Sequence, residues 1–236
     1  MIKALIFDVF GTLVDWRSGI ARETKAFMAE HGVQGIEPEA FADAWRAQYQ
    51  PAMARIRGGR RGYVALDQLH YENLMVVLKA FELEDRFAEA DLRSFARAWE
   101  KLPAWPDVSP GLYRLKRTFA IAPCSNGSIA LMTWLAKYTD LPWDCVLGAE
   151  IAKNYKPKHA VYQRSAEALG LDLGEVMMVA AHNDDLIAAR DAGLKTAFVP
   201  RPKEHGPGQS IDLEPTSKWD LIAKNFNDLA DQLGCA

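Results

Sequence analysis

Residues 3–9, Lys3-Ala-Leu-Ile-Phe-Asp8-Val9, form a short apolar run that stops on a carboxylate and is closed by Gly11-Thr12. A strand buried on both faces of a parallel sheet reads this way, with no polar alternation to mark a solvent side. Three later runs have the same character, at 119–123, 176–181 and 196–199, each beside a segment of helical periodicity. Strands alternating with helices predict an α/β chain, a Rossmann-like parallel sheet core with helices on both faces. Between Trp16 and Trp99 the texture changes to Ala, Glu, Arg, Leu and aromatics at three-to-four-residue spacing, with no convincing strand. That stretch predicts a helical cap domain, 16–99, inserted after the first strand into a core made of 1–15 and 100–236. Gly32-Val-Gln-Gly35 and Arg57-Gly-Gly-Arg60 punctuate the cap, and the proline-rich segment 103–110 marks the return to the sheet. From Lys218 onward the tail reads as a closing helix.

With 236 residues, 49% of them hydrophobic and 25% charged, the chain has enough apolar material for a sizeable core. A net charge of −3 gives no electrostatic footprint for nucleic acid. The basic cluster Arg55, Arg57, Arg60 and Arg61 is interrupted by Gly58 and Gly59 and reads as a solvated loop. Cys124, Cys145 and Cys235 are odd in number, widely spaced and without a CxxC pair, which fits a reducing cytoplasm rather than a disulfide or zinc framework. The apolar run at the N-terminus stops at Asp8, too short for a signal segment or a membrane span, so no membrane partner is expected.

Ligands of an open parallel sheet sit at the carboxyl ends of its strands, so the polar residues just after the apolar runs are the candidates. They are Asp8 to Thr12, Ser125-Asn126-Gly127, Lys156 in Asn154-Tyr-Lys-Pro157, and His182 to Asp185. A carboxylate nucleophile needs donors that keep it ionised, a cation nearby and room for its target, and Thr12, Ser125 and Lys156 supply such groups from separate strand ends. The set Asp8-Val-Phe-Gly-Thr12, Ser125-Asn-Gly127, Tyr155-Lys-Pro157 and Val179-Ala-Ala-His-Asn-Asp-Asp185 resembles the haloacid dehalogenase superfamily over nearly the whole chain.

Most members of that superfamily are magnesium-dependent phosphatases, and two departures set this chain apart from them. The second aspartate that phosphatases place two residues after the nucleophile, to protonate the leaving alkoxide, is Phe10 here. Ala180-Ala181 stands where they carry a Gly-Asp pair, which removes a hard oxygen ligand from a Mg²⁺ site. Asp184-Asp185 is the remaining place for a metal, but the pattern implies none, and no other cofactor. Halide departs without protonation, so the resemblance narrows to the 2-haloacid dehalogenase branch. There an aspartate attacks C2 of a short 2-halocarboxylate, and water hydrolyses the resulting ester at the enzyme carboxyl carbon, inverting C2.

That resemblance implies Asp8 as nucleophile, with Thr12 as a donor to it and Lys156 as the cation that holds it ionised. Ser125 and Asn126 are implied for binding the substrate carboxylate or the attacked carboxyl, though either also suits the N-cap of the helix from Ile129. Arg46 matches the cap arginine over the departing halide, with Phe10, Trp45 and Tyr63 as pocket walls. Asp185 and His182 are both candidates to activate water, with Asn183 beside them, and Tyr162 matches a tyrosine near the nucleophile. The expected partners are the haloacid, water and a second copy of the chain in a homodimer. A phosphatase or other small-acid hydrolase, and a non-catalytic binding protein on the same fold, are the competing readings.

Overall fold

The computed structural model describes residues 1–236. Six strands, β1 (Ala4–Phe7), β2 (Ala120–Ser125), β3 (Leu147–Gly148), β4 (Val176–Ala180), β5 (Lys195–Phe198) and β6 (Leu221–Ile222), make one sheet in the order β3-β2-β1-β4-β5-β6. Every neighbouring pair is parallel. β1 lies between β2 and β4, with Phe7 level with Pro123 on one side and Val179 on the other. The chain leaves β1 toward opposite edges of the sheet, so the crevice beyond its carboxyl end is the topological switch point where α/β sheets bind ligands. Asp8 stands in that crevice.

The unbroken apolar run of β1 has a direct cause: Leu5 and Phe7 face one apolar cluster, while Ala4 and Ile6 face a second on the other side. Eleven α-helices surround the sheet. Six fall between β1 and β2, the first five of them α1 (Trp16–Glu30), α2 (Pro38–Ala47), α3 (Tyr49–Arg57), α4 (Leu66–Ala80) and α5 (Glu89–Ala96). The remainder are α6 (Val108–Lys116), α7 (Ile129–Thr139), α8 (Ala149–Ala152), α9 (His159–Ala168), α10 (Asn183–Asp191) and α11 (Phe226–Gln232). The Leu5/Phe7 face is covered by α6, α7 and α11 through Leu112, Leu115, Leu131, Leu135 and Phe226, and the opposite face by α9 and α10 through Val161, Tyr162, Leu186 and Ala189. Gly111 lets α6 and α11 close: a Cβ there would meet that of Phe226 at 2.5 Å.

The inserted helices begin at a defined point, because the Asp15 carboxylate accepts from the Ser18 N–H at 3.0 Å and caps α1. Their apolar faces are aromatic, with Phe27 stacked on Phe95 at 4.2 Å between ring centroids and Trp45 tilted against the same Phe95 at 5.2 Å. The cluster continues without a break from Phe7 through Phe10, Trp16 and Trp99 into these helices, so the insertion is seated on the sheet's own core.

Two expectations need correction. The sheet has six strands rather than four, since β3 and β6 are two residues each and too short to leave a periodic signal. The tail after Lys218 is not simply a helix: β6 comes first and α11 starts only at Phe226, capped by Asn225.

Candidate active site

Asp8 extends β1 by one residue, its N–H donating to Val179 O at 3.0 Å, and only 7% of it is exposed. Thr12 O–H donates to Asp8 Oδ2 at 2.7 Å, and Thr12 Oγ1 accepts from the Ala181 N–H at 2.9 Å. The turn after β1 and the end of β4 therefore fix each other and the carboxylate. Gly11, at φ +92°, makes that turn possible in a region other residues avoid.

Lys156 comes in from the loop before α9, its backbone N–H held by Asn126 Oδ1 at 2.9 Å. Its buried ammonium donates to Asp8 Oδ1 at 2.8 Å and to Asp185 Oδ2 at 2.6 Å. Tyr162 O–H donates to Asp185 Oδ1 at 2.5 Å. His182 places Nδ1 3.2 Å from Asp8 Oδ2. Burial opposes ionisation of Asp8, but the Lys156 charge and the His182 ring override it and hold the carboxyl well below the usual carboxylate range. Asp185 is shifted the other way, raised by burial and by the Asp8 charge against the pull of Lys156. Burial works against charge on Lys156 too, yet the two carboxylates keep it protonated well beyond the ordinary lysine range. Neighbouring carboxylates pushed in opposite directions are a mark of a working site.

Magnesium does not suit this donor set. The Lys156 ammonium occupies the gap between Asp8 and Asp185, and position 10 is a phenyl ring 2% exposed. Asp184 points to solvent, and no cluster of three or more His, Cys, Asp or Glu side chains forms a metal cage.

Across from Asp8, Phe10 meets Tyr49, His70 and Trp99 edge-on at 6.4, 6.3 and 5.7 Å between centroids. The Arg46 guanidinium lies over the rings of Tyr49 at 4.1 Å and Trp16 at 5.2 Å, makes no ion pair, and leaves Nη1 buried without a partner. His70 Nε2 and Trp99 Nε1 are buried and unpartnered in the same way. Burial and the nearby Arg46 charge keep the His70 ring neutral, well below the ordinary imidazole range. A cleft of about 760 Å³ runs between α4, the 97–100 turn and the start of α7; its wall includes His70 but not Asp8 or Lys156.

The structure brings together Asp8, Phe10, Thr12, Ser125, Asn126, Lys156, Tyr162, His182 and Asp185 at the ends of β1, β2 and β4. Asn183 is not with them. Its amide donates to Asp212 and Glu214 and accepts from Thr216 and Trp219, so it ties down the 212–219 segment. Trp45 stands one layer behind the pocket, packed on Trp99 with its indole N–H given to His70 O. Tyr63 faces Tyr155 instead. The N-cap of α7 is Ser128, which leaves Ser125 and Asn126 free of that duty. Arg57 is not a solvated loop residue: it donates to Lys156 O at 2.9 Å and links α3 to the loop before α9.

Sequence reasoning missed Tyr49, His70 and Trp99, which read as ordinary cap apolar positions. It also missed Glu204, 1% exposed, which is 2.8 Å from His182 Nε2. Glu204 follows the apolar run at 196–199, so the same strand-end rule that found Lys156 and His182 pointed to it as well.

The haloacid dehalogenase-like hydrolase family matches residues 2–193, and the chain belongs to that family. An (S)-2-haloacid dehalogenase of Burkholderia cepacia is 30% identical over 97% of this chain and 98% of its own. Among solved structures, a defluorinating L-2-haloacid dehalogenase is 47% identical with a TM-score of 0.97, covering 99% of this chain and 96% of the other. A second L-2-haloacid dehalogenase is 44% identical at a TM-score of 0.95, with 99% of both chains covered. Within the family, the chain falls in the L-2-haloacid dehalogenase branch.

Proposed function

We propose that this protein is an (S)-2-haloacid dehalogenase, converting short 2-haloalkanoic acids to 2-hydroxy acids through an ester on Asp8. The observation that carries it is the Lys156 ammonium between Asp8 and Asp185, combined with a phenyl ring at position 10. This is an ionised nucleophile that lacks the second aspartate with which phosphatases protonate a leaving alkoxide, and a lysine stands where magnesium would sit, which suits a leaving group that departs as a stable anion. Thr12 and Lys156 orient the carboxylate for in-line attack on C2. The substrate carboxylate sits against the Ser125 hydroxyl and the backbone N–H groups beyond β2. The halide leaves toward Arg46 Nη1, with the His70 and Trp99 nitrogens beside it. Water then attacks Cγ of Asp8 from the side of His182 and Asp185.

In this reading residues 16–99 form the cap and 1–15 with 100–236 the core. The protein acts in a reducing compartment, the cytoplasm, consistent with three free cysteines, of which burial pushes the Cys124 thiol up to about 12. No helix is long and apolar enough to cross a membrane. A homodimer fits the exposed Ile129, Trp134 and Tyr138 on α7, and sedimentation should give twice the chain mass; a monomer at all concentrations would remove that part of the reading.

Purified protein given (S)-2-chloropropionate should release chloride at a rate unchanged by EDTA. Absence of halide release, alongside EDTA-sensitive phosphate release from a phosphomonoester, would replace this reading with the phosphatase one.

A further inference from the structure

His182 lies between two carboxylates. Nδ1 is 3.2 Å from Asp8 Oδ2, and Nε2 is 2.8 Å from Glu204 Oε2. Glu204 is built into the site: its other oxygen accepts from the Trp16 indole N–H at 3.0 Å, and its carboxylate fills the space that a side chain on Gly11 would need, a Cβ there meeting Oε1 at 2.1 Å. The loop that carries it is pinned by Arg201, which donates to Thr12 O and pairs with Asp107.

We propose that Glu204 is a positioning residue which makes His182 the counter-ion of Asp8 in the resting enzyme and the base of ester hydrolysis once Asp8 is alkylated. This rests on the dehalogenase reading above. The charged and titratable groups around the ring are Asp8 and Glu204 in contact, Lys156 and Asp185 beyond Asp8, and Arg46 and His205 beyond Glu204. Burial disfavours the imidazolium, but Glu204 and then Asp8 raise His182 well above the usual imidazole range, so the resting ring is charged. Attack on C2 converts Asp8 to a neutral ester, breaking the carbon–halogen bond and sending its electron pair out with halide. One of the two anions that held the ring's proton is then gone. About a fifth of the His182 side chain reaches solvent, which gives that proton an exit. It leaves in company with the halide.

Neutral His182, with Nε2–H donating to Glu204, presents Nδ1 to water beside Cγ of Asp8. Water adds to Cγ and gives one proton to Nδ1. The tetrahedral intermediate then breaks its bond to the substrate oxygen, and its remaining water-derived proton passes to that alkoxide as the hydroxy acid departs. Asp8 carboxylate and His182 imidazolium are restored together. The cycle balances as haloacid plus water giving hydroxy acid, halide and one proton.

The test compares wild type with Glu204→Gln, Glu204→Asp and His182→Asn, using (S)-2-chloropropionate. Glu204→Gln should slow turnover about 100-fold, at the lower end of what general-base catalysis supplies. It should keep a halide burst of one per site and accumulate protein heavier by the substrate less HCl, with the added mass on the Asp8 peptide. Its acid limb should move to lower pH, because a carboxylate that raised the imidazole is gone. Glu204→Asp, keeping the charge, should return the limb toward wild type, and His182→Asn should trap the same ester. A slowed Glu204→Gln with no burst and no ester, or one turning over at the wild-type rate, overturns the proposal. NMR titration of the free enzyme reads the coupling without turnover: an unchanged His182 midpoint in Glu204→Gln also overturns it. No halide from wild type would instead defeat the dehalogenase reading.

Discussion

Replacing Asp8 with Asn is expected to abolish halide release, by more than about 10⁴-fold, the order lost when a covalent nucleophile is removed and only binding remains. The substitution is nearly isosteric, and the surroundings are arranged to tolerate it. With its carboxamide oxygen turned to Lys156 the variant keeps that acceptor, and its NH2 takes the place of Oδ2, where Thr12 can turn its hydroxyl to accept and His182 can present a neutral Nδ1. Lys156 keeps Asp185 at 2.6 Å, and His182 keeps Glu204. No buried cation is left alone, so the fold should survive, and a circular dichroism melt within a few degrees of wild type would separate loss of chemistry from loss of structure. Intact mass after incubation with 2-chloropropionate supplies the second check. Wild type, or a variant slowed in hydrolysis, should gain mass on the Asp8 peptide, and Asp8→Asn should gain none. Retention of a tenth of the activity would mean that Asp8 is neither the nucleophile nor an essential base.

The legible parts of this molecule are those whose physical cause is local. β1 announces itself because a strand covered on both faces must be apolar throughout, and Leu5, Phe7, Ala4 and Ile6 do divide between two buried clusters. The ends of β1, β2 and β4 were findable because polar groups that follow such strands fall at one edge of the sheet. What stayed hidden depends on long-range closure. Asn183 is next to His182 in sequence, yet the first turn of a helix sends neighbouring side chains in different directions, and Asn183 goes to the 212–219 segment. His70, Trp99 and Tyr49 gather on Phe10 from three separate cap segments, an encounter that helical periodicity does not encode. Trp45 shows the converse: its sequence neighbour Arg46 turns to the pocket while Trp45 itself, 1% exposed, packs behind it.

Lys156→Met should be the most damaging substitution to stability, and should cost rate as well. Methionine has similar length and no charge, so it tests the ammonium rather than the packing. It would leave Asp8 and Asp185, each about a tenth exposed in the side chain, facing one another without the cation that separates them. Removing one partner of a buried ion pair typically costs about 3–5 kcal/mol, because the remaining charge stays desolvated. Urea unfolding at pH 7.5 should show a loss of that order. The sign of its pH dependence follows from the shifts. In wild type, Lys156 is raised above its unfolded value, so its contribution is complete below the ordinary lysine range and is lost only as pH rises through the still higher folded value. In the variant the unpaired carboxylates are the ones displaced upward, and a raised carboxylate destabilises above its unfolded pKa and is relieved as pH falls through its folded one. The gap between wild type and Lys156→Met should therefore narrow from pH 8 to pH 5, as one carboxyl takes up a proton. Activity should not recover over that range, since the proton that relieves the fold is shared with the nucleophile. A stability gap independent of pH, or turnover returning at pH 5, would show that Lys156 does not govern the charge of Asp8.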